Sequence, residues 1–342
     1  MAKIRAYNFL DSYEIKKMVS LIQGNAQVYA KRTLPLLPLD LIHRFLPISL
    51  KFLPEAFVSI EEKKIIGLIS LKPNKGNWHK WKISRLFLYD NSYYAGVQLV
   101  DYVISTYGAR GVNTFIVNIE SSQEEVLQLF SKGCGFKFCS FEQLWQMKSI
   151  RIKGQLSENI HIRPLKNSDT KAVCDIYNEE IYSQFRNSLC KSPNEFKESF
   201  FKGIEEITSL KYVIENSETS EITGLIIIKT EDNFNYLVEL SLSSFHDADF
   251  NDLLTFATLK ISKRCKNYNL FVINKKYKQN SIMFENYLSE NNFELKQTQS
   301  VLVKDYFKNV ESSENITIGA ICFTNIKGKP AYNTSFLKKN PL

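Results

Sequence analysis

Metal-ligating residues are scarce in this chain of 342 residues. The histidines are His43, His79, His161 and His246, and the cysteines are Cys134, Cys139, Cys174, Cys190, Cys265 and Cys322. None of the cysteines forms a Cys-x-x-Cys pair, and no histidine stands at ligand spacing from another or from a cysteine. That pattern argues against a zinc site and against a disulfide scaffold, and scattered thiols fit a reducing compartment. No apolar run approaches the roughly 18 residues that a membrane-spanning helix needs. The opening MAKIRAYNFLDSYEIKK has neither the apolar core nor the small-residue cleavage site of a secretory signal. The expectation is a cytoplasmic protein with no metal and no transmembrane segment.

What is present is ordinary for a globular chain: 44% hydrophobic and 23% charged residues, with length enough for two domains. The net charge of +8 suits an anionic partner, such as nucleic acid, an acidic membrane surface or a polyphosphate cofactor; plain solubility accounts for it equally well. Lysine and arginine are spread along the chain and not gathered into a tail, so no nucleic-acid partner is expected.

The chain repeats itself. Ile4-Arg5 followed by Asp11 returns as Ile162-Arg163 followed by Asp169, both displaced by the same interval. Ile65-Ile66-Gly67-Leu68-Ile69 returns as Ile222-Thr223-Gly224-Leu225-Ile226, and Phe136 returns as Phe293, each one residue closer. Between these marks the order of patterns also repeats. A strand from Trp81 to Leu88 matches one from Tyr236 to Leu242. The helix VQLVDYVISTYG matches NDLLTFATLKIS, the strand TFIVNI matches NLFVIN, and the helix EEVLQLFSKGCGF matches SIMFENYLSENNF. Each half reads β-α-β-β-β-α-β-α-β, with a last strand closing each. The halves span 1–150 and 160–307, joined by the polar linker Lys153 to Asn159, and 308–342 is a tail outside the repeat.

This order of elements, with Ile-Arg in the first strand, Gly67 and Gly224 in the third and Gly135-Phe136 after the last helix, resembles the GNAT N-acetyltransferase superfamily. The resemblance covers nearly all of both halves. It implies an α+β fold of two GNAT-like domains, each a mixed, mostly antiparallel sheet flanked by helices. It also implies acetyl-CoA or another acyl-CoA as co-substrate and a small-molecule or protein amine as acceptor. In that superfamily a Gln/Arg-x-x-Gly-x-Gly/Ala turn after the fourth strand closes bare backbone N–H groups on the coenzyme A pyrophosphate at a helix N-terminus. The matching stretch is Asn91-Ser92-Tyr93-Tyr94-Ala95-Gly96, in which Gly96 fits the final position. The resemblance thus implies cofactor contacts from the backbone of Phe87 and Leu88 and from a loop of Tyr93, Tyr94, Ala95, Gly96, Val97 and Gln98; Gly96 is otherwise a tight turn. In the second half Phe245-His246-Asp247-Ala248-Asp249-Phe250 has no glycine and two carboxylates that repel a pyrophosphate.

Acyl transfer also needs a base for the amine and an acid for the leaving thiolate. The superfamily often uses a fourth-strand carboxylate and a tyrosine on the last helix. The first half has Ser84 and Arg85 on the strand and Phe130 or Ser131 on the helix. The second has Glu239 and Tyr287, which read equally as a solvated strand-face charge and a helix-packing residue. No catalytic residue is assigned. The apolar, proline-punctuated Leu34 to Pro54 reads as a wall of the acceptor site, a packed lid or a membrane-surface helix, and Asn77 to Trp81 either stacks on a base or packs at a hairpin tip. The function expected is an acyl-CoA-dependent N-acetyltransferase, or a catalytically inactive tandem domain that binds a protein partner or acyl-CoA.

Overall fold

The computed structural model describes residues 2–21, 55–74, 76–89, 93–147, 160–197, 208–216, 218–244 and 249–306. The Leu34 to Pro54 segment, Asn91 and Ser92, the linker, Phe245 to Ala248 and the 308–342 tail lie outside the described residues. The first repeat runs β1 (Lys3–Ala6), α1 (Ser12–Leu21), β2 (Glu55–Glu61), β3 (Lys64–Asn74), β4 (Asn77–Leu88), α2 (Tyr93–Gly108), β5 (Thr114–Glu120), α3 (Glu124–Gln128) with a π-turn at Leu129–Gly133, and β6 (Lys137–Met147). The second runs β7 (Ile160–Pro164), α4 (Thr170–Glu179), α5 (Arg186–Leu189), β8 (Thr208–Asn216), β9 (Ile222–Thr230), β10 (Asn235–Leu242), α6 (Phe250–Ser262), β11 (Asn269–Lys275), α7 (Ser281–Glu290) and β12 (Phe293–Asp305).

The repeated Ile-Arg and Asp mark the same device in both copies. The Arg5 guanidinium donates to both carboxylate oxygens of Asp11 at 2.7 Å, and Asp11 also accepts the Asn8 N–H at 2.7 Å. Arg163 forks onto Asp169 at 2.7 and 3.2 Å, and Asp169 accepts the Lys166 N–H at 2.8 Å. One bidentate, charge-assisted pair thus fixes the exit of the first strand and the start of the first helix. The Gly-Phe ending is equally physical. Gly135 has φ +68°, and Asn292 takes φ +60° before Phe293, the left-handed turn that stops a helix.

Strand alternation sets the layers. On β9, Ile226 and Ile228 face the core built on α6, while Leu225 and Ile227 face α4. Both faces are covered, so the strand is apolar almost throughout. On α2, Leu99, Val100, Val103, Ile104 and Tyr107 form one buried stripe against Trp81, Ile83, Phe115 and Val117. Each such side chain contributes roughly 1.5–3 kcal/mol on burial.

The closing strands depart from expectation. The sheet is a single one of 12 strands in the order β1-β2-β3-β4-β5-β12-β6-β11-β10-β9-β8-β7. β12, from the second repeat, pairs with β5 of the first, from Gln299↔Glu120 to Asp305↔Thr114. β6, from the first, pairs with β11 of the second, and β6 and β12 pair with each other at the centre. Each repeat therefore lends its last strand to the other. The order reads the same from both edges: the first five strands of one repeat, then the sixth strand of the other.

Candidate functional site

In the first half β4 and β5 run parallel but pair only from Lys80↔Thr114 to Ile83↔Val117. Beyond this β4 continues to Leu88 and β5 to Glu120 without contact in the ladder, so the two strands part. A bulge marks the point of parting: Ile83 faces Leu71 and Arg85 faces Ser70, leaving Ser84 as the extra residue. The bulge shifts the alternation by one. Trp81 and Ile83 face the α2 core before it, and Leu86 and Leu88 pack on that core after it, while Phe87 is buried toward Ile15 of α1. The Ser84 hydroxyl is held by Ser70 Oγ at 2.8 Å. Among the described residues, no side chain hydrogen-bonds to the backbone of Leu86, Phe87 or Leu88.

The expected loop Tyr93 to Gln98 is helical: α2 begins at Tyr93, ahead of the expected Val97. Tyr93 and Tyr94 are exposed, Ala95 and Gly96 buried. A Cβ on Gly96 would lie 2.5 Å from Leu129 Cδ1 and 2.8 Å from Leu88 Cδ1. Gly96 thus lets the helix close on leucines from β4 and from the π-turn, and its missing side chain faces the core, not a cleft. Val97 packs on the same core. Gln98 Oε1 is buried without a hydrogen-bond partner. Leu88 and the start of α2 meet at Gly96, while the Phe87 side chain takes the opposite face.

The second half parts in the same place, after Val238↔Val272, but without a bulge. Here the free edge is capped from within. Lys278 Nζ donates to Leu240 O at 2.9 Å, Ser241 Oγ at 2.6 Å and Glu180 Oε2 at 2.7 Å, and Asn280 Nδ2 donates to Leu242 O at 3.3 Å. Leu240 and Leu242 correspond to Leu86 and Leu88, since Leu88 and Leu242 face Gly67 and Gly224 respectively. Backbone bonds Gln279 N→Glu180 O and Tyr182 N→Tyr277 O tie the loop after β11 to the end of α4. What remains is a cavity of about 20 Å³, enough for about one water. At the start of α6, Asp249 caps the helix by accepting the Asn251 N–H at 3.4 Å, so a carboxylate of the chain itself stands where an anion would bind.

Glu239, which the sequence suggests is a solvated strand-face charge, is buried, because three lysines converge on it. Lys275 lies at 2.5 Å, Lys229 at 3.2 Å and Lys191 at 4.0 Å. Burial alone would raise its pKa; Lys275, Lys229, Lys191 and Lys278 hold it well below the usual carboxylate range. It is a poor proton acceptor. The half-buried Lys191 lies 4.0 Å from the centre of the Tyr177 ring. Burial, with Lys275 and Lys229, brings its ammonium down to about 7 against the pull of Glu239. Lys275, Lys229 and Lys191 come from β11, β9 and the segment after α5, so no single stretch of sequence carries the cluster.

The other expected acid–base positions are packing sites. The Tyr287 hydroxyl is 3.5 Å from Asn251 Oδ1 and its ring lies on Phe250; burial raises it to about 12. Phe130 is buried edge-on to Phe136, and Ser131 donates to Leu127 O. The tryptophan cluster packs at the β3–β4 tip. Trp81 Nε1 donates to Trp78 O at 3.0 Å, and Lys80 reaches the carbonyls of Asn187, Ser188 and Cys190 across the halves.

Two copies of an α+β unit whose fourth and fifth strands run parallel and then part constitute a tandem GNAT fold. No protein-family model matches the sequence, and no curated protein is significantly similar to it. Solved structures share the architecture. A tandem GNAT protein from the clavulanic acid biosynthesis pathway, solved without AcCoA, aligns with TM-score 0.58 at 11% identity over 91% of this chain and 100% of its own. A GCN5-related N-acetyltransferase from Sphaerobacter thermophilus aligns with TM-score 0.60 at 10% identity over 90% of this chain and 97% of its own. A putative acetyltransferase from Pyrococcus horikoshii aligns with TM-score 0.52 at 10% identity over 89% of each chain. At such identities the likeness shows the fold. Among the described residues no helix is long and apolar enough to cross a membrane.

Proposed function

We propose that the chain is an acyl-CoA-dependent N-acyltransferase whose co-substrate enters the parting of β4 and β5 in the first half, 1–150, and that the second half, 160–307, no longer takes it. The observation that carries this reading is the contrast between two equivalent edges. Leu86 to Leu88 follow a bulge and carry no side-chain cap among the described residues, whereas Leu240 and Leu242 are bonded to Lys278 and Asn280. The acetyltransferase names of the similar structures agree with it.

The backbone of Phe87 and Leu88 would hold the pantetheine arm, and the first turn of α2 would meet the phosphates with the N–H groups of Tyr93, Tyr94 and Ala95, which have no partner within the helix. The acceptor nitrogen attacks the thioester carbonyl, the N–C bond forms as the C–S bond breaks, and the thiolate leaves with the proton the nitrogen gives up. The first half offers Ser84 where the second has Glu239, so this strand position supplies no carboxylate as base. The lysine field does part of that work. An amine placed near Lys275 and Lys229 loses its proton at lower pH, as Lys191 does. Free thiols among the described cysteines accord with a cytoplasmic setting.

Titration of the full chain with acetyl-CoA tests the site: the expected stoichiometry is one. Release of free thiol from acetyl-CoA with a panel of amines tests the chemistry. The lack of a base at Ser84 and of a hydroxyl at Phe130 favours a second reading, a non-catalytic acyl-CoA binder, and binding at unit stoichiometry with no thiol release from any amine identifies it.

A further inference from the structure

Lys82 lies on β4 beside Ile83, the last residue paired with β5, and stands directly opposite Lys72 on β3. Like charges facing each other across antiparallel strands repel. Lys82 is half-buried, and among the described residues its ammonium has no hydrogen-bond or ion-pair partner. Burial lowers its pKa, and Lys72, Lys275 and Lys229 lower it further against Glu142 alone. The nearby carboxylates are already engaged. Glu142 accepts from Asn118 Nδ2 at 2.6 Å and from the Tyr277 hydroxyl at 2.9 Å, and Glu239 is held by Lys275 and Lys229. Lys229 is on β9 and Lys82 on β4, so the charges of the two halves act on each other across this face. The residue equivalent to Lys82 in the second half, one before the last paired position Val238, is the apolar Leu237.

An ammonium with no ion-pair partner among the described residues, at the point where the strands part, has two effects on an incoming amine. It favours the uncharged, nucleophilic form, and it repels any acceptor that brings only a cation. An acceptor with its own negative group escapes the second effect. We propose that the acceptor is an anionic amine, carrying a carboxylate or a phosphate near its amino group, and that Lys82 binds that group. This rests on the acyltransferase reading, because the site is defined by where β4 and β5 part.

The test uses the full chain and three variants, Lys82→Met, Lys82→Gln and Lys82→Arg. Thiol release from acetyl-CoA is followed with matched pairs: an amino acid against its amide, and phosphoethanolamine against ethanolamine. The anionic member of one pair is expected to show kcat/KM at least tenfold higher. Lys82→Met or Lys82→Gln should remove that preference by raising KM for the anionic member, and Lys82→Arg should keep it. The pair that shows the preference tells carboxylate from phosphate. Equal or better use of the neutral members, or a preference that survives Lys82→Met and Lys82→Gln, overturns the proposal.

Thermal melting with inorganic phosphate and with succinate gives a readout that needs no turnover. At least one anion should raise the melting temperature of the unmodified chain, less so that of Lys82→Met, and saturating coenzyme A should leave the increment in place. Loss of the increment on adding coenzyme A assigns the anion site to the cofactor, and no increment with either anion removes the site; both overturn the proposal. An increment without acyl transfer to any amine refutes the acyltransferase reading, and the acceptor with it, while leaving an anion site. Acyl transfer without anionic preference refutes the acceptor class alone.

Discussion

Replacing Lys278 with Met breaks the bond that closes the second half's parted strands. Both members of the Lys278–Glu180 pair are about 5% exposed. The ammonium makes three bonds, to Glu180 at 2.7 Å, Leu240 O at 2.9 Å and Ser241 Oγ at 2.6 Å. Met fills similar space, so the loss is electrostatic. It leaves the Glu180 carboxylate buried, with Asn280 at 3.5 Å as its remaining side-chain neighbour. Breaking one side of a buried pair costs about 3–5 kcal/mol. For a chain of this size the urea slope lies near the top of the usual range, about 3 kcal/mol per molar, so the unfolding midpoint should fall by roughly 1–2 M. The double variant Lys278→Met with Glu180→Met removes both charges and should recover most of the loss, because apolar replacement of a whole buried pair is often near neutral. Urea unfolding followed by tryptophan fluorescence, with slopes compared across variants, measures this. Acetyl-CoA stoichiometry should stay at one, since Asp249 still caps α6. A Lys278→Met variant that loses less than about 1 kcal/mol would refute the claim that this lysine closes the edge, since the bound of about 3 kcal/mol would be missed.

Gly96→Ala should destabilise by about 1–3 kcal/mol, because its Cβ meets Leu129 and Leu88 and overpacks the core; thermal melting checks this, and unchanged stability with lost acetyl-CoA binding would mean that the position faces ligand. Arg163 holds the Asp169 carboxyl below its ordinary range, so the pair's contribution is present above that range and is lost as pH falls through the lowered value. The stability gap between the unmodified chain and Asp169→Asn should therefore be flat from pH 7 to about 4 and narrow below it, as read by urea midpoints at each pH. Cleavage within the linker Lys153 to Asn159 should leave two fragments that co-elute in size-exclusion chromatography, because each holds the other's closing strand; separation without denaturant would contradict the strand exchange.

The order of elements was legible because each mark in the sequence has a local cause. Ile-Arg and Asp recur because one guanidinium locks one carboxylate at a strand exit. Gly135 and Asn292 recur as helix stops because the left-handed turn admits few residues. Strand partners were not legible: alternation says which face a side chain takes and is silent on whether β6 lies beside β5 or β11. The bulge had a signal, the slip in apolar spacing from Trp81 and Ile83 to Leu86 and Leu88. Of the expected cofactor contacts, Leu88 lies against the α2 start, but the two exposed tyrosines hid the first turn of α2, and Gly96 serves packing. The burial of Glu239 could not be read from its neighbours on β10, because its lysines come from three other segments. The plug at Lys278 was hidden for the same reason, since Glu180 and Leu240 lie far from it along the chain.

The exchanged strands also govern when the protein can fold. As the chain leaves the ribosome, β1 to β5 emerge complete, but the neighbour of β5 is β12, whose first residue is Phe293. At synthesis rates of about 5–20 residues per second, the edge of β5 waits roughly ten to thirty seconds for its partner. β6 waits as well, for β11 and then β12. Two unpaired edges thus coexist in the nascent chain, each a template for pairing with another molecule. Neither half can finish folding before the other is made, so the duplication produces one post-translational folding unit in place of two that fold in turn. Crowded synthesis, more than heat, is where this architecture is most exposed to aggregation.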